Sequence, residues 1–261
     1  MRVLLALMMA VALSTSATAA VDSSTQHDAA TTGLDSQIAV GDAISGLIAT
    51  ELPGDMGFHG AVGDPLDKLP AFTDDAGIRA TGLTGLLNDF PGAGNPTKRI
   101  QYDLSGPTSI GAIQVLTGNN GGDGRIFSTF TVYTSTNNGG SFNLLGYFES
   151  DPLGTINNAG SNPQLRSTLV TVFDDASPYL ATGVTNLQFN FYAVDNTGGQ
   201  YRDPFDGVNP FTGIDDLLTS AFVSPLLFEI DVIAIPEPAT MGLLGCGLAL
   251  ALAGSRRQKR G

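Results

Sequence analysis

The sequence predicts an all-β body, an antiparallel two-sheet sandwich, between two terminal segments of different character. Three observations favour this fold class. Glycine and proline are abundant, with 33 and 14 copies among 261 residues, so turns are frequent and long helices are not expected. The acidic residues are mostly Asp, which favours turns, rather than Glu, which favours helices. About seven segments alternate apolar and polar residues with the period of a strand.

The predicted strands follow one another between residues 99 and 234. Residues 99–104 and 110–116 are separated by a turn signal at 105–108, which contains Gly and Pro. Alternation is clearest in 185–194 and 226–234, where one face is apolar and the other carries polar side chains. This pattern is typical of an antiparallel sheet with one buried face. The remaining predicted strands are 126–134, 142–148 and 167–173.

The amino-terminal end has the three parts of a secretory signal peptide. Arg2 precedes an apolar run, and Ala17 and Ala19 frame a site of the A-x-A cleavage type, so we expect a signal peptide over residues 1–19. A short hydrophobic anchor is the alternative, and either would carry the chain across the inner membrane. The next segment, 20–35, is predicted to be a polar linker, and the sandwich domain is expected over 36–235.

The carboxyl-terminal end, residues 236–261, also has three parts in a fixed order. Pro236, Glu237 and Pro238 form a rigid, extended break directly after a predicted strand. An uncharged, apolar run over 239–253 follows, and we expect it to form a helix that enters the membrane. The tail ends in a cluster of four basic residues, which favours retention of this end on the cytoplasmic side: Arg256, Arg257, Lys259 and Arg260.

This order of parts resembles the PEP-CTERM sorting signal, which a membrane transpeptidase-like enzyme called exosortase reads. The resemblance implies that the protein is an exosortase substrate, held transiently in the inner membrane by its tail and then delivered to the cell surface or extracellular matrix. An ordinary permanent tail anchor is the alternative. In the family the tail is a substrate, so Cys246, the only cysteine, inherits no catalytic role.

The charge of the chain excludes one class of partner. The net charge is −13, and between Val21 and Ile235 seven basic residues stand against 24 acidic ones, which gives the body a charge of −17. Binding to a nucleic-acid backbone requires a basic face, so nucleic acid is not expected as a partner. A strongly acidic body is instead compatible with solubility, a divalent cation or a cationic partner.

The order of features in the body resembles the discoidin-like, galactose-binding-type jelly roll. The segment 72–77 (Phe-Thr-Asp-Asp-Ala-Gly) is similar to the early acidic loop of that family. The segments 130–135 (Phe-Thr-Val-Tyr-Thr-Ser) and 228–233 (Phe-Glu-Ile-Asp-Val-Ile) are similar to an inner strand and to its closing strand. Two departures weaken any transfer of function: the body contains no Trp, and long loops are inserted at 151–165 and 196–224.

The jelly-roll resemblance implies a calcium ion that ties the early loop to the last strand. Matched by position, its ligands would be Asp74 or Asp75 together with Glu229, completed by nearby carbonyls. Calcium binds six to eight oxygens and mixes carboxylates with carbonyls freely. Asp75 stands where the family usually has Gly, so a plain acidic turn is the alternative.

Enzymatic chemistry has little support in the sequence. The two histidines, His27 and His59, provide no zinc-binding pair, and a G-x-S-x-G nucleophile elbow is missing. Adjacent acids at 74–75, 174–175 and 215–216 leave a glycosidase pair open.

We therefore expect a non-catalytic structural or adhesive component of the cell surface or its extracellular polysaccharide. The first alternative is a carbohydrate-binding module, and the second is a glycan-active enzyme. A carbohydrate-binding module would need an exposed aromatic side chain beside polar loop residues. The candidates for that side chain are Tyr147, Tyr179, Tyr192 and Tyr201.

Overall fold

The computed structural model describes residues 21–121, 124–156, 164–195 and 199–236. Within these ranges the chain is mostly β, and all the paired strands are antiparallel, which confirms the predicted class. The strands are β1 (Val21–Asp28), β2 (Thr50–Glu51), β3 (Lys98–Gly118), β4 (Thr129–Ser135), β5 (Asn143–Glu149), β6 (Ser167–Asp174), β7 (Ala181–Tyr192) and β8 (Leu227–Ala234). Short 3-10 helices span Asp35–Gln37, Pro65–Asp67, Leu69–Phe72 and Gly124–Ile126.

The long strand β3 belongs to both halves of the sheet. Its amino-terminal half pairs with β2 and with β7, which continues through β4 to β5. Its carboxyl-terminal half pairs with β8 on one side and with β6 on the other, and β6 continues to β1. Two half-sheets are therefore joined through one continuous strand.

The main hydrophobic core contains side chains from both half-sheets. Ile100, Phe130 and Phe189 come from the first half, while Val172 and Ile230 come from the second, and all five side chains are fully buried. This arrangement fits a β-sandwich, in which the inner faces of two sheets share one core.

Residues 105–108, predicted to be a turn between two strands, instead lie inside β3. The ladder between β3 and β7 shifts register between Asp103 and Thr108 and again between Thr108 and Ile110. Pro107 has no N–H to contribute to a ladder, and glycine permits an irregular backbone, so both residues are well placed at a bulge. The Gly-Pro signal thus marks a bend at which the strand passes from one half-sheet to the other.

The predicted polar linker over 20–35 requires correction, because β1 occupies Val21–Asp28. This strand pairs with β6 along its whole length, from Val21 opposite Asp174 to Asp28 opposite Ser167. It lies at the edge of its half-sheet and its exposure alternates along the chain. Polar side chains are acceptable in an edge strand, since half of them face water.

The predicted signal peptide, with Ala17 and Ala19, lies outside the described residues. So do Glu237, Pro238, the apolar run and the basic cluster at the other end. None of the helices in the described ranges has the length and apolar character needed to cross a bilayer.

Candidate functional site

Buried carboxylates gather where β8 passes beneath two preceding loop segments. The members of this acidic cluster share one property, which is that each has at least one buried carboxylate oxygen without a hydrogen-bond partner: Asp35, Asp42, Asp75, Glu229 and Asp231. Glu229 has two such oxygens. A buried polar atom without a partner is costly, so a set of them in one place calls for an explanation.

The alternation of β8 positions the two strand members of the cluster. Glu229 and Asp231 are two residues apart and therefore lie on the same face of the strand. The sequence predicts this face to be polar, yet the two side chains are only 1% and 2% exposed. Loop segments cover the polar face, so β8 is buried on both sides.

The segment before β2 covers β8 through a short series of hydrogen bonds. The Ala39 N–H donates to Asp231 Oδ2 at 3.0 Å, and the Val232 N–H donates to Asp42 Oδ1 at 2.9 Å. The Ala43 N–H donates to the Val232 carbonyl at 2.9 Å. The second oxygen of Asp42 and that of Asp231 remain without partners.

The early acidic loop brings Asp75 to the same place. Asp75 adopts a left-handed backbone with φ of 57°, and its Oδ2 accepts hydrogen bonds from the Gly41 N–H and the Ser45 hydroxyl at 3.2 and 2.7 Å. Gly77 lies against Asp35, where an added Cβ would come within 2.3 Å of Asp35 Oδ1. Any side chain at position 77 would therefore displace this carboxylate.

The electrostatics of the acidic cluster favour protonation of Glu229 in the absence of a cation. Burial, and then the negative charges of Asp231, Asp74 and Asp42, raise the pKa of Glu229 to about 10. The Ala76 N–H lies near Glu229 and lowers this pKa, but it does not reach hydrogen-bonding geometry with either oxygen. Burial also raises the pKa of Asp231 to about 6, and the charges of Asp42 and Asp75 add to that shift.

The donor set of the acidic cluster fits a hard divalent cation such as calcium, which binds carboxylate and carbonyl oxygens. The described ion pairs of four basic residues are formed with acids outside the acidic cluster: Arg79, Lys98, Arg125 and Arg202. In the described parts of the chain, however, no three acidic or His or Cys side chains converge closely enough to hold a metal by themselves. A cation here would therefore need backbone carbonyls or water to complete its shell.

The structure brings together two of the three residues for which the jelly-roll resemblance implies calcium ligation. Asp75 and Glu229 belong to the acidic cluster, while Asp74 is exposed at its rim. Sequence reasoning missed Asp35, Asp42 and Asp231. Of these, Asp231 carries a usable signal, because it shares a strand face with Glu229. The contributions of Asp35 and Asp42 depend on loop paths that have no sequence period.

A second feature is an open cavity of about 310 Å³, here called the loop cavity, between the end of β5 and the segment 200–216. Of the four tyrosines considered for sugar binding, Tyr201 lines it and is 41% exposed. Tyr147 stacks on Phe211 at 4.9 Å within an aromatic cluster that also contains the buried Tyr192. Tyr179 is half-buried and does not line the loop cavity.

Acidic and amide side chains share the lining of the loop cavity with Tyr201. The Tyr147 hydroxyl donates to Glu149 Oε1 at 3.0 Å and lies 3.3 Å from Asn209 Nδ2. Burial, with further contributions from the charges of Asp203, Asp216 and Asp151, raises the pKa of Glu149 to about 7. Glu149, Asp203 and Asp216 line the cavity together, as would be required of facing carboxylates in a glycan-active enzyme.

The third feature is the point at which the chain leaves the sheet. β8 ends at Ala234, the Ile235 N–H still donates to the Ser109 carbonyl at 2.8 Å, and Pro236 is exposed. Residues 234–257 match the family model of the PEP-CTERM protein-sorting motif. The PEP-CTERM motif indicates an exported protein that is sorted by exosortase. No curated protein and no solved structure matches the chain.

The PEP-CTERM match confirms the sorting signal predicted from the tail. It contains Pro236, Glu237 and Pro238 and extends to Arg257, so that two of the four basic residues lie within it. The other two, Lys259 and Arg260, follow its end.

The raised pKa of Glu229 predicts how stability changes with pH when calcium is removed. The folded state holds this proton more tightly than the unfolded chain does, so its contribution to stability is complete below about pH 4.5. That contribution is lost as the pH rises towards 10. In a chelator, the melting temperature should therefore fall between pH 5 and pH 9, and Glu229→Gln should flatten this slope.

The matched control is Asp175→Asn, which removes an exposed acid outside the acidic cluster and should keep the native slope. Thermal melts followed by circular dichroism at several pH values provide the measurement. Equal slopes for the native protein and for Glu229→Gln would contradict a tightly held proton on Glu229.

Proposed function

We propose that the protein is a structural or adhesive component of the cell surface or extracellular matrix, without catalytic activity. It is exported, held transiently in the inner membrane by its tail, and released by an exosortase-type enzyme. The observation that carries this proposal is the PEP-CTERM match at residues 234–257, which begins where the last strand ends. The protein is thus a folded body attached directly to a sorting signal.

The length of the apolar run supports a temporary rather than a permanent anchor. Between the Pro-Glu-Pro box and the basic end, fifteen residues, 239–253, form the uncharged, apolar run. As a helix they would extend about 22 Å, which is short of the roughly 30 Å hydrocarbon core of a bilayer. Terminal Arg and Lys side chains can reach the interface and offset part of this mismatch.

The acidic cluster supports a body that is stabilised by calcium. The cluster joins β8 to two loop segments that contain little regular structure, at Asp35 and Asp42 and at Asp75. A bound cation would supply partners for the buried carboxylate oxygens and would hold both loop segments on the last strand. The cation would then hold the last strand close to the start of the sorting motif.

The loop cavity favours a second candidate function, binding of the surface polysaccharide. Tyr201 is an exposed ring beside Glu149, Asp203 and Asn209, and this combination offers both stacking and hydrogen bonds to a sugar. The same carboxylates are the basis of the remaining alternative, a glycan-active enzyme.

The sorting proposal predicts a shortened mature protein. When a matching exosortase is present, intact-mass measurement on protein from the native envelope should show that residues 256–261 have been removed. Glu237→Ala should retain them, because it alters the Pro-Glu-Pro box. A native protein that keeps these residues would show that the tail is a permanent anchor.

The calcium proposal predicts a stabilisation that depends on the acidic cluster. A ligand that binds only the folded state adds about 2.7 kcal/mol at 100-fold excess over Kd, which for a domain near 200 residues is a melting shift of about 5 to 11 °C. Glu229→Gln and Asp231→Asn should lose this shift, whereas Asp175→Asn should keep it. Identical native melts in calcium and in chelator would rule the site out.

The polysaccharide candidate predicts binding that depends on Tyr201. On a glycan array, Tyr201→Ala should weaken binding about two- to tenfold, as expected for the loss of one aromatic contact. Tyr179→Ala is the matched control and should bind like the native protein, because Tyr179 does not line the loop cavity. Equal glycan-array binding by Tyr201→Ala and Tyr179→Ala would exclude the loop cavity as the sugar-binding site. Hydrolysis of a bound glycan that is lost in Glu149→Gln would indicate an enzyme instead.

A further inference from the structure

The sorting motif begins inside the folded body rather than after a spacer. Its first matched residue, Ala234, is the last residue of β8 and still pairs with β3. The next residue, Ile235, donates its N–H to the Ser109 carbonyl at 2.8 Å. The Ile235 side chain also packs on Gly111, where an added Cβ would come within 2.4 Å of Ile235 Cδ1. Pro236 is therefore the first residue of the motif that lies beyond the sheet.

An open cavity of about 300 Å³, here called the junction cavity, lies beside this point. Residues 39–43 form one wall, and Ile233 and Ala234 at the end of β8 form the other. Two hydrogen bonds fix the first wall to the strand, because Val232 donates to Asp42 Oδ1 and accepts from the Ala43 N–H. The apolar side chain of Val40 lines this cavity and is 77% exposed.

The connection between the sheet and the Pro-Glu-Pro box is short, so any enzyme that binds the box must lie close to the junction cavity. Glu237 is three positions after Ala234, and three residues of fully extended chain span about 11 Å at most. A folded enzyme that holds the Pro-Glu-Pro box in its active site must therefore approach the surface around Ala234. Contact with the body is a consequence of the short connection.

Release of more chain from the body would be costly. If Ile235 also left the sheet, any further length of free chain would have to come from detaching β8. In that strand Val232 and Ile230 are fully buried in the main core. Extraction of such side chains would leave unfilled space in a closely packed core and would expose apolar surface. The folded body therefore keeps its surface at the junction while the motif is bound.

We propose that the junction cavity is a second contact surface for the sorting enzyme, which recognises it together with the Pro-Glu-Pro box. This inference rests on the proposed function. It is supported by the continuity of the junction cavity with the motif, since Ala234 belongs to both. The exposed Val40 offers the apolar contact, and loss of one interface side chain typically costs at least about 1 kcal/mol when it is central to binding.

The test measures the rate at which the tail is removed from the native chain and from two variants. Each full-length chain is expressed in cells with exosortase, and tail removal is followed by pulse-chase and intact mass. Val40→Arg places a long, charged side chain at the junction cavity. Val208→Arg is the matched control, because Val208 is 63% exposed and belongs to a different loop. Both variants are first checked for native melting temperature. We expect Val40→Arg to slow tail removal at least about fivefold and Val208→Arg to leave it unchanged.

A variant with a spacer distinguishes loss of enzyme contact from other effects of Val40→Arg on tail removal. With six Gly and Ser residues inserted between Ile235 and Pro236, contact is no longer enforced, so Val40→Arg and the native side chain should give equal rates. Equal rates for Val40→Arg and Val208→Arg without the spacer would overturn the inference. So would a Val40→Arg defect that persists behind the spacer. A native chain that keeps its tail, or a Glu237→Ala chain that loses it normally, would instead show that the sorting proposal is wrong.

Discussion

Hydrogen bonding along both halves of β3 is the constraint on which the rest of the structure depends. This strand pairs with β2, β6, β7 and β8, so four of the seven other described strands reach the body through it. Lys98, its first residue, is fully buried and donates to Asp55 Oδ1 at 3.0 Å and to Glu51. The bend at residues 105–108 directs the second half of the strand into the opposite half-sheet. The acidic cluster depends on this geometry, because β8 is placed by its register with β3.

The strand β8 places acidic side chains in the buried interior of the fold. Burial of Glu229 and Asp231 in β8 requires that they be neutral or that a positive charge compensate them. The nearby loops bring further acids rather than a Lys or Arg partner, as Asp42 and Asp75 show. Protonation and cation binding are the two ways to relieve this repulsion, and both make the stability of the body sensitive to its surroundings.

Local sequence patterns predict most of the strands but not the way in which they connect. The alternation over 185–194 and 226–234 gives β7 and β8 to within a few residues, because a half-buried strand must alternate. The Gly-Pro signal at 105–108 predicts a turn between two strands, whereas the structure has a bulge within β3. Gly and Pro are common in both features, so the local sequence does not distinguish them. Val21–Asp28 is too polar to be identified as a strand without its partner β6.

The candidate sites show the same division between local and long-range information. The tail is recognisable from the sequence because its three parts are contiguous. The acidic cluster is not contiguous, since Asp42 and Asp231 are separated by 189 positions along the chain and meet only through loop paths. Tyr201 is exposed, whereas Tyr147 and Tyr192 pack in the aromatic cluster, and this difference depends on how the segment 200–216 folds over that cluster.

The positions of the first and last strands have a consequence for the order of events during export. β1 and β8 form the two outer edges of one half-sheet, with β6 and β3 between them. A chain that crosses a membrane from its amino terminus delivers β8 last, so the core that contains Ile230 and Val232 cannot close until translocation is nearly complete. By then the next segment to reach the membrane is the tail itself. Completion of the core and arrival of the sorting signal would therefore coincide.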